Sequence, residues 1–371
     1  MRPSCWAGEI SHYDCCIIEV ASFARRTLTG LTLLSALLGC AFVLDGLTSS
    51  SWNIPFLSAP QPLGDLARRL ITKAQNATVF SPYFYLGVLA LFAAERVLPA
   101  RNQGVLSTGL AQDAVWFLVN TIPLSTVIMV YAELLATVYK QYLDFLTIGV
   151  VTGWSASARF VMFLVVSDLL NWMHHFVRHK VEVFWYFHTV HHSQRQMNLF
   201  TDHRVHFVEF LVANTLIFIP SMMFQLSTVS LGYFLIFFRW YARMYHANLR
   251  TNFGPFKHIL VTPQSHRIHH SVERRHFDTN FGTLFTIWDR LFGTLYKNYD
   301  EYPDTGLSDD RFPLETATGP MRGLFTLWAQ TVYPFRLLAR RIGVRRTLRA
   351  GRVTSPGVTA PATTTPTGGE G

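Results

Sequence analysis

Charge is scarce in this chain. Asp, Glu, Lys and Arg make up 15% of its 371 residues, against about 25% in an ordinary soluble domain. Half of the residues are hydrophobic and the mean hydropathy is +0.21, so a water-soluble globule is a poor description. Cysteine is nearly missing. Cys5, Cys15, Cys16 and Cys40 all precede the second apolar stretch and form no CxxC pair, so no disulfide framework, zinc ribbon or iron–sulfur site follows from them. The chain has no GxGxxG and no haem motif, hence no dinucleotide fold of its own. HExxH is absent too, which argues against an ordinary zinc hydrolase. No internal repeat is visible beyond a recurring histidine pattern.

What is present is apolar sequence punctuated by arginine. The net charge is +9, but Arg25, Arg26, Arg68, Arg69, Arg96 and Arg101 flank apolar segments. That is the anchor and orientation signal of membrane proteins rather than a nucleic-acid footprint. The cluster from Arg340 to Arg352 either meets anionic head groups or is a solvated basic tail. Segments 29–48, 83–99, 113–138 and 158–173 each have about the length of a bilayer core. Residues 25–42 have the shape of an export signal with a Gly-Cys end, but the later spans make a signal anchor the simpler reading. The stretch 207–241 is too long for one span, and Pro220 with the polar Gln225–Ser230 predicts a helical hairpin.

The fold expected is therefore an all-α integral membrane protein, with about four transmembrane helices, a hairpin, and a cytoplasmic helical cap carrying the histidines. Residues 1–28 form a cytoplasmic N-terminal segment and 29–157 the first helices and loops. The histidine-bearing unit follows at 158–310. Residues 311–350 are an amphipathic basic segment with an interfacial helix at 320–342, and 351–371 a disordered Thr-, Pro- and Gly-rich tail. The histidines and both termini fall on the cytoplasmic side, where most of the arginine lies.

Fourteen of the fifteen histidines lie between 174 and 276, with His12 alone outside. Their spacing is helical. His175 and His179 stand at i, i+4; His188, His191 and His192 stand at i, i+3, i+4; His266, His269 and His270 repeat that pattern. Such positions share one helix face, so each HxxHH presents three imidazoles toward a single point. A storage tract would read HxHxH instead, and a haem needs only two axial histidines. Eight or more imidazoles exceed what one metal uses and suit two, each with three to five nitrogen ligands. Imidazole accepts Zn, Cu, Fe and Ni, but a histidine-rich di-iron site that activates dioxygen fits best beside membrane spans that deliver a lipid.

The order HxxxH, HxxHH, HxxHH over residues 158–298 resembles the fatty acid hydroxylase / sterol desaturase superfamily of integral-membrane di-iron oxidoreductases. "DLLNWMHHFVRH" (168–179) is similar to its Asp-led first motif, and the resemblance implies His175, not His174, as first ligand. "WYFHTVHHS" (185–193) resembles the second motif. "NLFTDHRVHFVE" (198–209) resembles the stretch with Arg204, His206 and Glu209 at family positions. "HANLRTNFGPF" (246–256) resembles the segment whose further ligand is His246. "TPQSHRIHHSVERRHFDTNFGTLFTIWDRLFGTLY" (262–296) resembles the third motif and its tail, in particular those of the alkylglycerol monooxygenase branch. The implied ligands are His175, His179, His188, His191, His192, His206, His246, His266, His269 and His270. Phe207 replaces the family's usual proline, which weakens the carry-over to His206. The first 80 residues have no counterpart.

Metal-bound histidines commonly donate their second ring N–H to a carboxylate or carbonyl. Asp168, two helical turns before His175, is either such a partner or a helix-end surface charge. The resemblance gives Asp278 and Asn280 a supporting place in the site, while "IWDRLFGT" (287–294) reads as interfacial packing. The function expected is a dioxygen-dependent oxidation of an unactivated C–H bond in a lipid or lipophilic substrate, with hydroxylation favoured over desaturation. Two irons are expected, with zinc able to replace them after overexpression. Dioxygen is the co-substrate, and a separate electron-transfer protein or reductant must supply electrons. A reading of another class is a non-catalytic metal- or haem-binding membrane protein, which an optical spectrum would distinguish by its Soret band.

Overall fold

The computed structural model describes residues 82–104, 106–309, 311–315 and 320–353. The expected first span at 29–48, the segment 1–28, most of the loop before residue 82, and 354–371 lie outside the described residues. Among those described, the chain is helical, with three isolated β-bridges and no strand.

Helix α1 (Pro82–Val97) leads to α2 (Thr108–Thr121), whose N-terminus is capped by the Ser107 hydroxyl accepting from Leu110 N. A third span was expected as one helix over 113–138. The structure divides it into α2 and α3 (Pro123–Val138). Pro123 is the cause: it lacks an N–H and is suited to a helix's first position, so it starts a new helix rather than continuing the old one. Helix α4 (Ala156–Lys180) begins at a Ser155 cap and runs for 25 residues. It is the one described helix long and apolar enough to cross a membrane by length and composition. It carries the HxxxH pair at its C-terminal end.

A single residue, Val181, joins α4 to α5 (Glu182–His192). The resulting corner folds the second histidine motif back beside the first. The hairpin is seen as α6 (Phe207–Met223) and α7 (Thr228–His246), turning through Gln225 at φ 51 with Ser227 as the α7 cap. Pro220 lies in the last turn of α6, so the break falls just after it. Short α8 (Pro263–His269) carries the third motif, and α9 (Ile287–Leu291) follows. Helix α10 (Pro320–Val353) extends well past the expected 342. Gly323 lets α10 approach α2: a Cβ there would meet Val115 at 2.9 Å, and the Gly323 carbonyl accepts from Gln112 Nε2 at 3.2 Å.

The main apolar core lies between α3, α4, α6 and α7, around Phe163, Phe210, Phe218 and Phe234. A second cluster joins Trp116, Val190, Phe312 and Tyr333 beneath α10. The first packs on the N-terminal half of α4, and the second on α5 at Val190. Phe163 is fully buried, with Phe234 edge-on at 4.8 Å. Phe163→Ala should therefore lower stability by about 3–5 kcal/mol, read as an unfolding shift of the detergent-solubilised protein. A loss under about 1 kcal/mol would contradict this core.

Candidate metal centre

Four helices deliver nine histidines to one interior region, in two groups. His175, His179, His188, His192 and His269 form the first; His191, His246, His266 and His270 form the second. Within each group the ligand nitrogens all lie within 4.8 Å of one another. The expectation that each HxxHH aims at a single point is corrected here. On α5, His188 and His192 serve the first group and His191 the second. On α8 the arrangement is exchanged: His269 serves the first group, His266 and His270 the second. Helix geometry gives the reason. At about 100° per residue, i and i+4 diverge by roughly 40°, whereas adjacent residues diverge by the full 100°.

The local sequence sets these positions. Helix α8 has only seven residues, yet Pro263 fixes its first position and Thr262 with Ser265 forms a reciprocal capping box. Isolated helices of this length are marginal, so the caps hold the HRIHH run in register. His246 closes α7, where its Nδ1–H donates to the Ala242 carbonyl at 2.7 Å.

Ring orientation follows from hydrogen bonds outside the groups. His175 Nδ1–H donates to the Phe281 carbonyl at 2.9 Å, and His269 Nδ1–H to the Thr279 carbonyl at 2.8 Å. His188 Nδ1 lies 2.9 Å from Glu209 Oε1, and His191 Nδ1–H donates to the Arg204 carbonyl at 3.2 Å. Each assignment places the proton on Nδ1 and leaves a lone pair on Nε2. In the first group all five Nε2 atoms are buried without a hydrogen-bond partner. In the second, Nε2 of His246 lies 3.1 Å from Nε2 of His191 and 2.8 Å from Nε2 of His266, and His270 Nε2 lies 3.1 Å from that of His266. His191 and His246 thus point lone pairs at each other. Buried lone pairs that converge without donors are what a bound cation satisfies, so the donor set fits two nitrogen-ligated metals.

Burial, reinforced by neighbouring imidazoles, holds His188, His192, His266 and His270 well below the ordinary histidine value. Burial pushes His269 down to about 4 against its bond to the Thr279 carbonyl. The rings are neutral at pH 7, as metal ligation requires.

His206 is not brought to either group. It caps α6, where its Nδ1 accepts from Val208 N at 3.2 Å and its Nε2 lies 3.0 Å from the Thr331 carbonyl of α10. Both ring nitrogens are engaged, so the structure gives it no ligand position. Asp168 does not bond His175. Its carboxylate accepts from Thr283 Oγ1 (2.9 Å), Leu284 N (3.0 Å), Phe285 N (3.2 Å) and Trp288 Nε1 (2.8 Å). It anchors the segment after Phe281, whose carbonyl orients His175. Asp278 bonds Lys180 at 2.6 Å and sits 4.0 Å from His179 Nδ1. Asn280 ties Ser265 O to Tyr296 N.

Within "IWDRLFGT", Ile287, Leu291 and Phe292 are exposed apolar side chains, while Asp289 faces inward. Asp289 is buried and accepts from Phe281 N and Gly282 N, both at 2.8 Å, and from Trp172 Nε1 at 2.9 Å. Gly282 is required there, because a Cβ would meet Asp289 Oδ2 at 2.9 Å and Phe285 O at 2.8 Å. Sequence reasoning also missed Arg178, which bonds Glu209 beside His188 at 3.3 Å, and Asp113. A lone acid directly before the apolar "AVWFLV" stretch was the available signal, since such an acid demands a partner.

Residues 160–294 match the fatty acid hydroxylase family model and hold all nine grouped histidines. Among curated proteins, the chain is 30% identical to human alkylglycerol monooxygenase over 169 residues, 45% of this chain and 36% of that protein. It is 31% identical to ornithine lipid hydroxylase OlsE of Rhizobium tropici over 150 residues, 38% of this chain and 43% of that one. It is 26% identical to the Delta(7)-sterol 5(6)-desaturase of Leptosphaeria maculans over 149 residues, 40% of each chain. The matched stretches thus span well under half of these relatives. No solved structure matches the chain.

Two outcomes follow from the geometry. His206→Ala should retain the metal content of the parent, whereas His188→Ala and His191→Ala should each lose about one metal per chain by elemental analysis; metal loss in His206→Ala would return that residue to the site. In acid, the unfolded chain protonates these histidines below about pH 6.5 while the folded, metal-free chain keeps them neutral. The unfolded state then binds more protons, so stability rises with pH up to that point. Metal-free protein should melt at progressively lower temperature from pH 7 to pH 5, and a flat melting temperature over that interval would contradict buried neutral rings.

Proposed function

We propose that the chain is a membrane oxidoreductase that uses dioxygen and two irons to hydroxylate an unactivated C–H bond of a lipid or lipophilic substrate. The observation that carries this reading is the pair of buried imidazole groups inside the stretch that matches the fatty acid hydroxylase family. His175, His179, His188, His192 and His269 would hold one iron, and His191, His246, His266 and His270 the other. Bound there, the irons would supply dioxygen activation and hydrogen abstraction, while the protein supplies placement and exclusion of water. The chain's own part is legible. Carbonyls of Phe281, Thr279, Arg204 and Ala242 fix the ring tautomers, and burial keeps water from the groups. Electrons come from a separate donor, since no motif for a redox cofactor other than the histidines occurs in the sequence.

The membrane reading is supported by α4. From Ala156 to His175 the helix rises roughly 29 Å at about 1.5 Å per residue, close to a hydrocarbon core of about 30 Å. The histidines would then sit at one edge of the bilayer, on the cytoplasmic side by the distribution of arginine. Large apolar side chains point outward on several helices, including Leu86 and Leu89 on α1, Leu134 on α3 and Val161 on α4. Exposed apolar side chains on several helices are natural against lipid.

The alkylglycerol monooxygenase and ornithine lipid hydroxylase relatives favour an alcohol as product. The sterol desaturase relatives sustain a second reading, formation of a C=C bond. Lipid extracts from cells with and without the gene, grown under ¹⁸O-labelled dioxygen, test both by mass spectrometry. Hydroxylation places label in a new hydroxyl. An unlabelled alkene as sole product would replace it with desaturation, and active protein holding one metal or none would remove the di-iron reading.

A further inference from the structure

Arg204 is fully buried, and its backbone and side chain face different tasks. Its carbonyl accepts the His191 Nδ1–H at 3.2 Å, which leaves the lone pair of Nε2 directed into the second group. Its guanidinium is held on two sides. Nε donates to Asp113 Oδ1 at 2.6 Å, and NH1 and NH2 form a forked pair with Glu315 Oε2 and Oε1 at 3.1 and 3.0 Å. NH1 also donates to Ser193 Oγ at 3.1 Å, immediately after the HxxHH motif.

Asp113 is fully buried as well, and it gathers the rest of the loop. Its Oδ2 accepts from Gln194 Nε2 at 2.5 Å, Asn198 Nδ2 at 2.8 Å and Thr201 Oγ1 at 2.8 Å. The segment 193–204 is therefore clamped at its start, middle and end by one carboxylate and the arginine that it pairs. Forked guanidinium–carboxylate pairs fix orientation as well as distance. Removing one member of such a buried pair leaves an uncompensated charge and lets the rest shift.

We infer that Asp113 and Glu315 are positioning residues for the second metal, acting through Arg204 on the tautomer and aim of His191. Both lie outside the matched residues 160–294: Asp113 is on α2, and Glu315 stands in the segment preceding α10. The matched stretch thus borrows part of its second metal group from flanking sequence. The inference rests on the two-metal reading above. Outer partners of metal-bound histidines typically set affinity by about 10- to 100-fold, and His191, in the second group, is the ligand whose ring partner this clamp supplies. The first group draws its ring partners from Phe281, Thr279 and Glu209.

The test is metal titration of full-length, detergent-solubilised protein, stripped and reloaded with cobalt(II). Occupancy is read by absorption and by elemental analysis. The parent should bind two ions per chain; one or none would remove the two-metal reading itself. Asp113→Asn and Glu315→Gln should keep one tight ion and weaken the other by about 10- to 100-fold. Where Asp113→Asn does not accumulate, Glu315→Gln carries the test, since Glu315 lies at the rim of the clamp. Combination locates the loss. Glu315→Gln added to His191→Ala should cost no further ion, whereas added to His188→Ala it should leave almost none. Asp309→Asn, which alters a nearby carboxylate bonded to Arg311 and Tyr333, should leave both ions in place. Two ions bound at parent affinity in Glu315→Gln, equal weakening of both, or the same selective loss in Asp309→Asn would overturn the inference.

Discussion

Nine imidazoles turned inward in a water-poor interior repel one another through their lone pairs, and the rest of the structure is arranged around that constraint. Each ring has its proton drawn outward by a carbonyl or carboxylate where a partner is visible, as for His175, His188, His191, His246 and His269. That leaves acceptor facing acceptor between His191 and His246, at 3.1 Å in the second group. An arrangement of this kind gains nothing from burial alone, because unpaired buried polar atoms cost free energy. It becomes favourable when cations occupy the centre. Metal loading would then be coupled to the folding of these four helix ends.

The acids nearest the motifs do their work at one remove. Asp168 and Asp289 are buried on α4 and α9, and each accepts several donors from the segment 281–294. They convert a loop without regular hydrogen bonding into a fixed frame, so the Phe281 carbonyl stands where His175 needs it. Asp278 and Asn280 pass through left-handed backbone at φ 60 and 57 on either side of Thr279, a conformation that Asp and Asn tolerate better than most residues. The Thr279 carbonyl between them receives His269. Carboxylates near a metal need not touch a ligand to decide its geometry.

Helical spacing was enough to expect the histidines to gather in the interior, as nine of them do. It was not enough to assign them to groups. That division depends on which helices lie on each side of α5 and α8, and no local pattern carries it. His206 shows the opposite limit: its place in a motif suggested ligation, while its position just before α6 made it a cap. Asp113 and Glu315 stand 91 and 111 residues from Arg204, so their pairing is tertiary information. The break at Pro123 was legible from proline chemistry, and the apolar pattern on both sides obscured it.

The exchange between α5 and α8 has a mechanical consequence. Each helix gives an i, i+4 pair to one group and its remaining histidine to the other. Turning α5 about its axis to improve the fit of His188 and His192 moves His191 by the same angle. The rotation of α5 is therefore shared by the two groups, while the aim of each ring is set by its own hydrogen-bond partner. The fold answers by fixing both ends of α5. Val181 binds its start directly to α4, and the segment following His192 is held through Ser193 and Gln194 by Arg204 and Asp113. A helix of 11 residues has little stability of its own, so its rotation is set by these end contacts. They set the aim of the imidazoles as much as the helix itself does.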